Sequence, residues 1–435
     1  MNKTNILFIL FIFVISITSC QKVTVSPESI IKNIEAIDSF KVLNGDTTFD
    51  ATYELWFKQP LDPNNPDAGY FPQKVIYSHK GFDRPMVVVL EGYMLYGIGP
   101  SELCTLLDAN QITIEHRFFD KSRPKDSISW RYLNIANAAA DQHAIIQAFK
   151  EFYPKKWLTT GISKGGQTTI FHRSMYPNDV DVSVPYVAPV NYSATDERVQ
   201  LFLDTVNTKE CRDKIYQFQL ELFKRKDQLF KLFKEEAKRK DWHFTMGLDS
   251  AYDLSVFEFD FALWQWVHND CESLPPLTAS DKEIFEYWKI YTGFSFFEYK
   301  SILPTLPFFF QGMTEIGMYG YDADKFEGYT NMSGMVDFSW TMPKGYEHMK
   351  FNPEPMQKVD EWVKNEGNYM LYLYGGQDAW SATAAAPGPN TNAVRLFNPG
   401  RNHSTRIRNY PDNYKDSIYN ILEKWMEVKV KRPEN

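Results

Sequence analysis

The chain has 435 residues, 43% hydrophobic and 16% aromatic, with a formal net charge of −8. That apolar share supports a core large enough for one α/β domain plus an insertion, and the acidic balance argues against nucleic acid as a partner. Its 8 histidines are scattered and no C-x-x-C or H-E-x-x-H spacing occurs, so neither a metal site nor a cofactor is expected.

The first residues read as a targeting signal rather than as fold. Lys3 supplies a positive region, and residues 6–17 form an apolar run of about a dozen, shorter than the roughly 20 that a spanning helix needs. Ile17-Thr18-Ser19-Cys20 resembles a bacterial lipobox, a signal in which the chain is cut before the cysteine and the cysteine is then lipidated. Residues 1–19 are therefore expected to be a signal peptide, Cys20 a lipidation site, and residues 20–46 a tether and lead-in. Gln21 rather than Asp follows, so the lipobox resemblance implies an outer-membrane or cell-surface destination. The plainer alternative is an ordinary signal peptide on a periplasmic or secreted protein.

Strand signals follow at residues 48–58 and 73–79, separated by a proline-rich loop, and read as an antiparallel hairpin. Met86-Val87-Val88-Val89-Leu90 is a continuous β-branched run, hence a strand buried on both faces. It ends in Glu91-Gly92-Tyr93. A further strand is expected over 111–118, a helix over 134–152, a strand over 156–160, a helix over 166–176 and a strand over 180–187. Strands alternating with helices imply a mostly parallel sheet covered on both sides.

From residue 191 to 344 the pattern changes to charged, aromatic-rich helices, expected over 211–240, 257–267 and 282–292. The basic runs at 224–226 and 238–240 are interleaved with acids and read as solvated helix face. This stretch is expected to be a helical cap inserted between two parts of an α/β-hydrolase domain, 47–190 and 345–435. In the second part come a helix at 355–364, strands at 369–374 and 393–397, and a closing helix at 414–428. With Cys20 lipidated, three cysteines remain. Cys211 and Cys271, both in the cap, are the candidate disulfide, and Cys104 a buried free thiol.

Gly161-Ile162-Ser163-Lys164-Gly165 fits G-x-S-x-G, the strand–turn–helix elbow that exposes a nucleophilic serine in α/β-hydrolases. Five residues match often by chance, but here a strand precedes and a helix follows. A serine hydroxyl needs a base, and the base an orienting carboxylate, in the chain order Ser, Asp or Glu, His. Asp378 follows the strand at 369–374, and His403 lies in the loop after the next strand, 403 − 378 = 25 residues on. Asp412 follows the histidine and breaks that order. His172 lies nine residues into the elbow helix, roughly 13 Å along its axis, too far to serve as the base. The oxyanion hole is expected from the backbone N–H of Lys164 together with that of Gly92 or Tyr93.

More than the pentapeptide is informative. Glu115-His116-Arg117-Phe118-Phe119, Ser122-Arg123-Pro124, Trp130-Arg131-Tyr132-Leu133, Ala140-Asp141-Gln142-His143 and Tyr186-Val187-Ala188-Pro189 together resemble the secreted bacterial prolyl tri/tetrapeptidyl aminopeptidases. These serine peptidases are related to the prolylcarboxypeptidase group. The likeness runs from about residue 52 to 191 and resumes at 259–266, 314–317 and 375–380. It implies an α/β-hydrolase fold with a helical cap, a Ser163–Asp378–His403 triad, and release of short peptides from peptide N-termini, often after proline. An aminopeptidase also needs an acid for the substrate's α-ammonium group, for which Glu315 is the candidate. Peptides are the expected partners, with the membrane reached through the lipid anchor and no obligate protein partner. An esterase or lipase on the same fold, or an inactive binding scaffold, is the competing reading.

Overall fold

The computed structural model describes residues 26–125, 127–267 and 271–432. The signal segment and Cys20 lie outside those residues. Apolar β-branched and aromatic runs bounded by turns build nine strands of one sheet. They are β1 (Ile37–Leu43), β2 (Ala51–Pro60), β3 (Tyr70–His79), β4 (Met86–Leu90), β5 (Asn110–Ile114), β6 (Trp157–Ile162), β7 (Val182–Tyr186), β8 (Met370–Gly375) and β9 (Ala393–Asn398). The order is β1-β2-β3-β5-β4-β6-β7-β8-β9. Strands β1, β2, β3 and β5 pair antiparallel, and every pair from β5 to β9 is parallel.

Successive side chains of a strand point to opposite faces, and the burial follows that rule. Met86, Val88 and Leu90 of β4 pack with Ile145, Ile146 and Phe149 of α3 (Ile135–Lys150), while Val87 shares the opposite face with Leu103 and Leu107 of α2 (Glu102–Leu107). On β8, Leu371 and Leu373 meet Ile418 and Leu422 of the closing helix Asp412–Met426; Met370 and Tyr372 meet Met356 and Val359 of the helix Glu354–Asn365. Helices thus cover both faces of a largely parallel sheet, the α/β-hydrolase arrangement expected from the alternation of elements.

Residues 197–341 form a second apolar core. It gathers Phe218, Leu222, Phe233, Tyr252, Phe257, Phe259 and Trp288 from the helices Lys209–Lys224, Lys226–Lys240, Leu248–Trp266 and Asp281–Thr292. Much of the aromatic surplus is spent here. Cys211 and Cys271 are disulfide-bonded with Cα atoms 5.4 Å apart, and Cys104 is free and buried. Burial pushes the Cys104 thiol up to about 12.

Three expectations are corrected. Residues 20–46 are not tether throughout, because Pro27–Asn33 form the helix α1 and Ile37–Leu43 form β1, paired with β2. The alternation of β1 is faint because it is a half-exposed edge strand. The helix expected over 211–240 is two, divided at Arg225, whose ψ of 17° leaves the helical range. Arg225 donates to Glu221 at 2.7 Å and to Asp281 at 3.0 Å, tying the break to the start of the helix Asp281–Thr292. The strand expected over 111–118 stops at Ile114. Beyond it the buried Arg117 makes a two-pronged pair with Asp141, both bonds 2.7 Å, and donates to the carbonyls of Leu61, Tyr132 and Pro60. A guanidinium taken out of water requires such full satisfaction, and it draws the chain out of the sheet.

Candidate active site

The parallel strands β4, β6, β7, β8 and β9 all end along one edge of the sheet, and the chemistry-bearing loops leave from there. β6 ends at Ile162, and α4 (Lys164–Met175) starts two residues later. Ser163 makes that turn with φ 58° and ψ −121°, a left-handed conformation held by its surroundings at a cost of about 1–3 kcal/mol. Its N–H donates to the Tyr186 carbonyl at 2.9 Å, and its own carbonyl accepts from Gln167 at 2.9 Å.

The flanking glycines are required by the packing. A Cβ on Gly161 would lie 2.6 Å from the Leu90 carbonyl oxygen and closer still to the Gly165 carbonyl. One on Gly92 would lie 2.5 Å from the Gly165 nitrogen. The loop after β4 therefore lies directly on the start of α4. As the first residue of that helix, Lys164 has a backbone N–H with no partner inside it. Burial raises the pKa of the Tyr93 phenol, and the neighbouring Ser163 hydroxyl opposes that rise. That side chain was not singled out from the sequence, where Tyr93 is only a backbone donor.

Asp378 follows β8 as the cap of a short helical turn, accepting from the Trp380 N–H at 3.1 Å. Its other oxygen pairs with His403 Nδ1 at 2.7 Å, and both side chains are buried. His403 Nε2 is buried and has no hydrogen-bond partner among the described residues. Asp378 and His403 are thus joined directly, while no hydrogen bond joins His403 to Ser163. Such a bond commonly tightens only once substrate is in place.

Three contacts fix the histidine loop. Glu102 of α2 accepts from the N–H groups of Ile407 and Arg408, both at 2.9 Å, and from the Tyr186 hydroxyl at 3.0 Å. A Cβ on Gly375 would lie 2.6 Å from the Arg401 carbonyl oxygen and closer to that of Asn402. The His403 N–H donates to the Gln265 carbonyl at 3.1 Å, at the end of the helix Leu248–Trp266. Sequence reasoning missed Glu102 and Gln265 because neither carries a local motif.

The remaining candidates lie elsewhere. His172 is paired through Nε2 with Asp179 at 3.0 Å, beside His143, near the far end of α4. Glu315 sits in a π-helical turn, Gly312–Ile316, and accepts from Gln311 Nε2 at 3.1 Å. Burial pushes its carboxyl up to about 7 and the buried Lys164 ammonium down to about 7, each opposed by the other's charge. Glu315 also lines a cleft of about 820 Å³ with Arg131, Ser174 and Trp362, a cleft that touches none of Ser163, Asp378 and His403.

Against this geometry the comparisons are decisive. The family model of PS-10 peptidase S37 matches residues 36–434. The chain belongs to the peptidase S37 family. It is a serine peptidase of the α/β-hydrolase type. A prolyl tri/tetrapeptidyl aminopeptidase from Streptomyces mobaraensis is 33% identical over 362 residues, 81% of this chain and 75% of that one. A probable serine protease of Arabidopsis thaliana is 26% identical over 195 residues, 40% of this chain and 38% of the other. Among solved structures, a proline iminopeptidase of Mycobacterium smegmatis covers 86% of this chain and 99% of its own length at TM-score 0.40 and 10% identity. The fold assignment rests on the sheet order and the elbow rather than on that last likeness.

Among the described residues no group of three or more acids, histidines or cysteines is placed to hold a metal ion. No helix among them is long and apolar enough to cross a membrane.

Proposed function

We propose that this S37 peptidase is an exopeptidase that releases tri- and tetrapeptides from peptide N-termini, with a preference for cleavage after proline, through an acyl-enzyme. The observation that carries the chemistry is the buried Asp378–His403 pair, 2.7 Å long, on the same sheet edge as the strained Ser163 turn. The peptide length and the proline preference come from the similarity to the Streptomyces aminopeptidase.

In this reading Ser163 Oγ attacks the scissile carbonyl and His403 Nε2 takes its proton. The Asp378 carboxylate holds the imidazole by Nδ1 and stabilises the imidazolium. The tetrahedral oxyanion is held by the N–H of Lys164 and one from the Gly92–Tyr93 loop, donors fixed before charge develops. Collapse expels the amine of the C-terminal remainder of the substrate, which takes the proton from His403. Water then attacks the ester, with His403 again as base, and frees the short N-terminal peptide. Glu315, engaged by Gln311 and Lys164, is assigned to anchoring the elbow rather than to the substrate's ammonium group. Residues 191–344 act as the cap that limits peptide length, and the lipobox at Cys20 supports lipid anchoring at the outer membrane or cell surface.

The test uses a fluorophosphonate probe and paired substrates. The native chain should label and should cleave Ala-Ala-Pro-arylamide, and Ser163→Ala should abolish both. Equal labelling of Ser163→Ala, or turnover of p-nitrophenyl esters only, sinks the proposal.

A further inference from the structure

The helix Leu248–Trp266 does more than cover the site. Its last residue, Trp266, is 60% exposed. A large indole left in water is unusual, and its location is specific. Its ring lies 5.4 Å from the imidazole of His403, nearly perpendicular at 82°. The neighbouring Gln265 carbonyl holds the His403 backbone N–H at 3.1 Å. The indole and the imidazole are therefore fixed to each other through the backbone, while one side of the indole stays open to solvent.

The direction of the chemistry says which part of the substrate meets that open side. The base that accepts the serine proton must pass it to the departing amine, so the leaving nitrogen sits within about 3 Å of His403 Nε2. The side chain borne by the residue of that amine, the first residue of the departing C-terminal fragment, then projects beside the imidazole. The aromatic surface already there is Trp266. Trp is also the side chain most enriched where binding energy concentrates.

Resting on the exopeptidase reading above, we propose that Trp266 is a specificity-determining residue for the position just after the scissile bond, favouring apolar and aromatic side chains there. The helical region thereby selects the residue that leaves as well as the peptide that stays.

The experiment measures kcat/KM for Ala-Ala-Pro-X-Ala-amide peptides, with X as Phe, Leu, Gly or Asp, on the full chain. The wild-type chain should prefer Phe and Leu to Gly by about tenfold, an effect typical of one well-packed apolar contact. Trp266→Ala should bring the Phe-to-Gly ratio to about one, and Trp266→Phe should retain most of it. A ratio preserved in Trp266→Ala, equal loss for all four peptides, or no preference in the wild-type chain overturns the assignment alone. Labelling by fluorophosphonate with no cleavage of any of these peptides overturns the exopeptidase reading itself, and the assignment with it.

Discussion

Gly161 allows the most direct test at the scale of single residues. The atoms that its Cβ would strike are backbone carbonyls of Leu90 and Gly165, which cannot rotate away. Gly161→Ala should therefore destabilise the chain by about 1–3 kcal/mol, the ordinary cost of overpacking, with fluorophosphonate labelling falling in parallel. Denaturant titration of the purified variant measures the first, and gel fluorescence the second. Asp378→Asn should separate the two effects. The cap of the short turn survives, because an amide oxygen still accepts from Trp380, but the imidazole loses the acceptor that orients it. A drop of about 10⁴ in kcat with little change in melting is expected; a loss of less than tenfold would show that Asp378 is not the orienting acid. The turn at Ser163 and the pairing of Asp378 with His403 follow from the sequence because the elbow has a fixed spelling and the other two a fixed order; their catalytic roles are what these variants test. The Tyr93 phenol was not legible there, since a side chain reaching across to another loop leaves no periodic trace.

Between residue and fold, individual elements place His403. The histidine loop hangs from Glu102 on one side and is seated over Gly375 on the other. Glu102→Ala would strand two backbone donors and a phenol, at about 1–3 kcal/mol for buried unsatisfied groups. Activity should fall by tenfold or more, while the Met86–Leu90 centre of the sheet keeps its amide-exchange protection. Most elements were readable, including the hairpin of β2 and β3, the run at β4 and the helices beside it. What escaped were features set by distant partners. β1 is a strand because β2 offers an edge. The break at Arg225 exists because Asp281 and the Ala279 carbonyl, more than 50 residues away, accept its guanidinium.

Across the whole molecule, the helical region carries its own core and its own staple. The Cys211–Cys271 bond closes a loop of 60 residues, for which chain entropy gives about 4 kcal/mol. Reduction should lower the melting temperature, and Cys211→Ser should reproduce the fall without reductant. The same core buries Glu258, which accepts from the hydroxyls of Tyr319 and Tyr321 at 2.9 and 2.6 Å. Burial holds its carboxyl up to about 8, against an ordinary 4.5. The folded chain keeps this proton where the unfolded chain has released it. The stability it contributes is therefore complete below about pH 4.5 and is lost as pH rises towards 8, at about 1.4 kcal/mol per pH unit inside that window. Glu91 and Glu315, both raised to about 7, act with the same sign. Denaturation of Glu258→Gln from pH 5 to 8 should show a shallower decline than the wild-type chain; an equal slope would mean that the carboxyl is ionised in the fold.

The single hydrogen bond from His403 to the Gln265 carbonyl has a consequence for any attempt to graft one relative's helical region onto another's sheet. The donor belongs to the histidine loop and the acceptor to the transplanted piece, so the graft carries one of the contacts that seat His403. A chimera whose incoming segment places no carbonyl at the position of Gln265 would leave the His403 N–H without that acceptor.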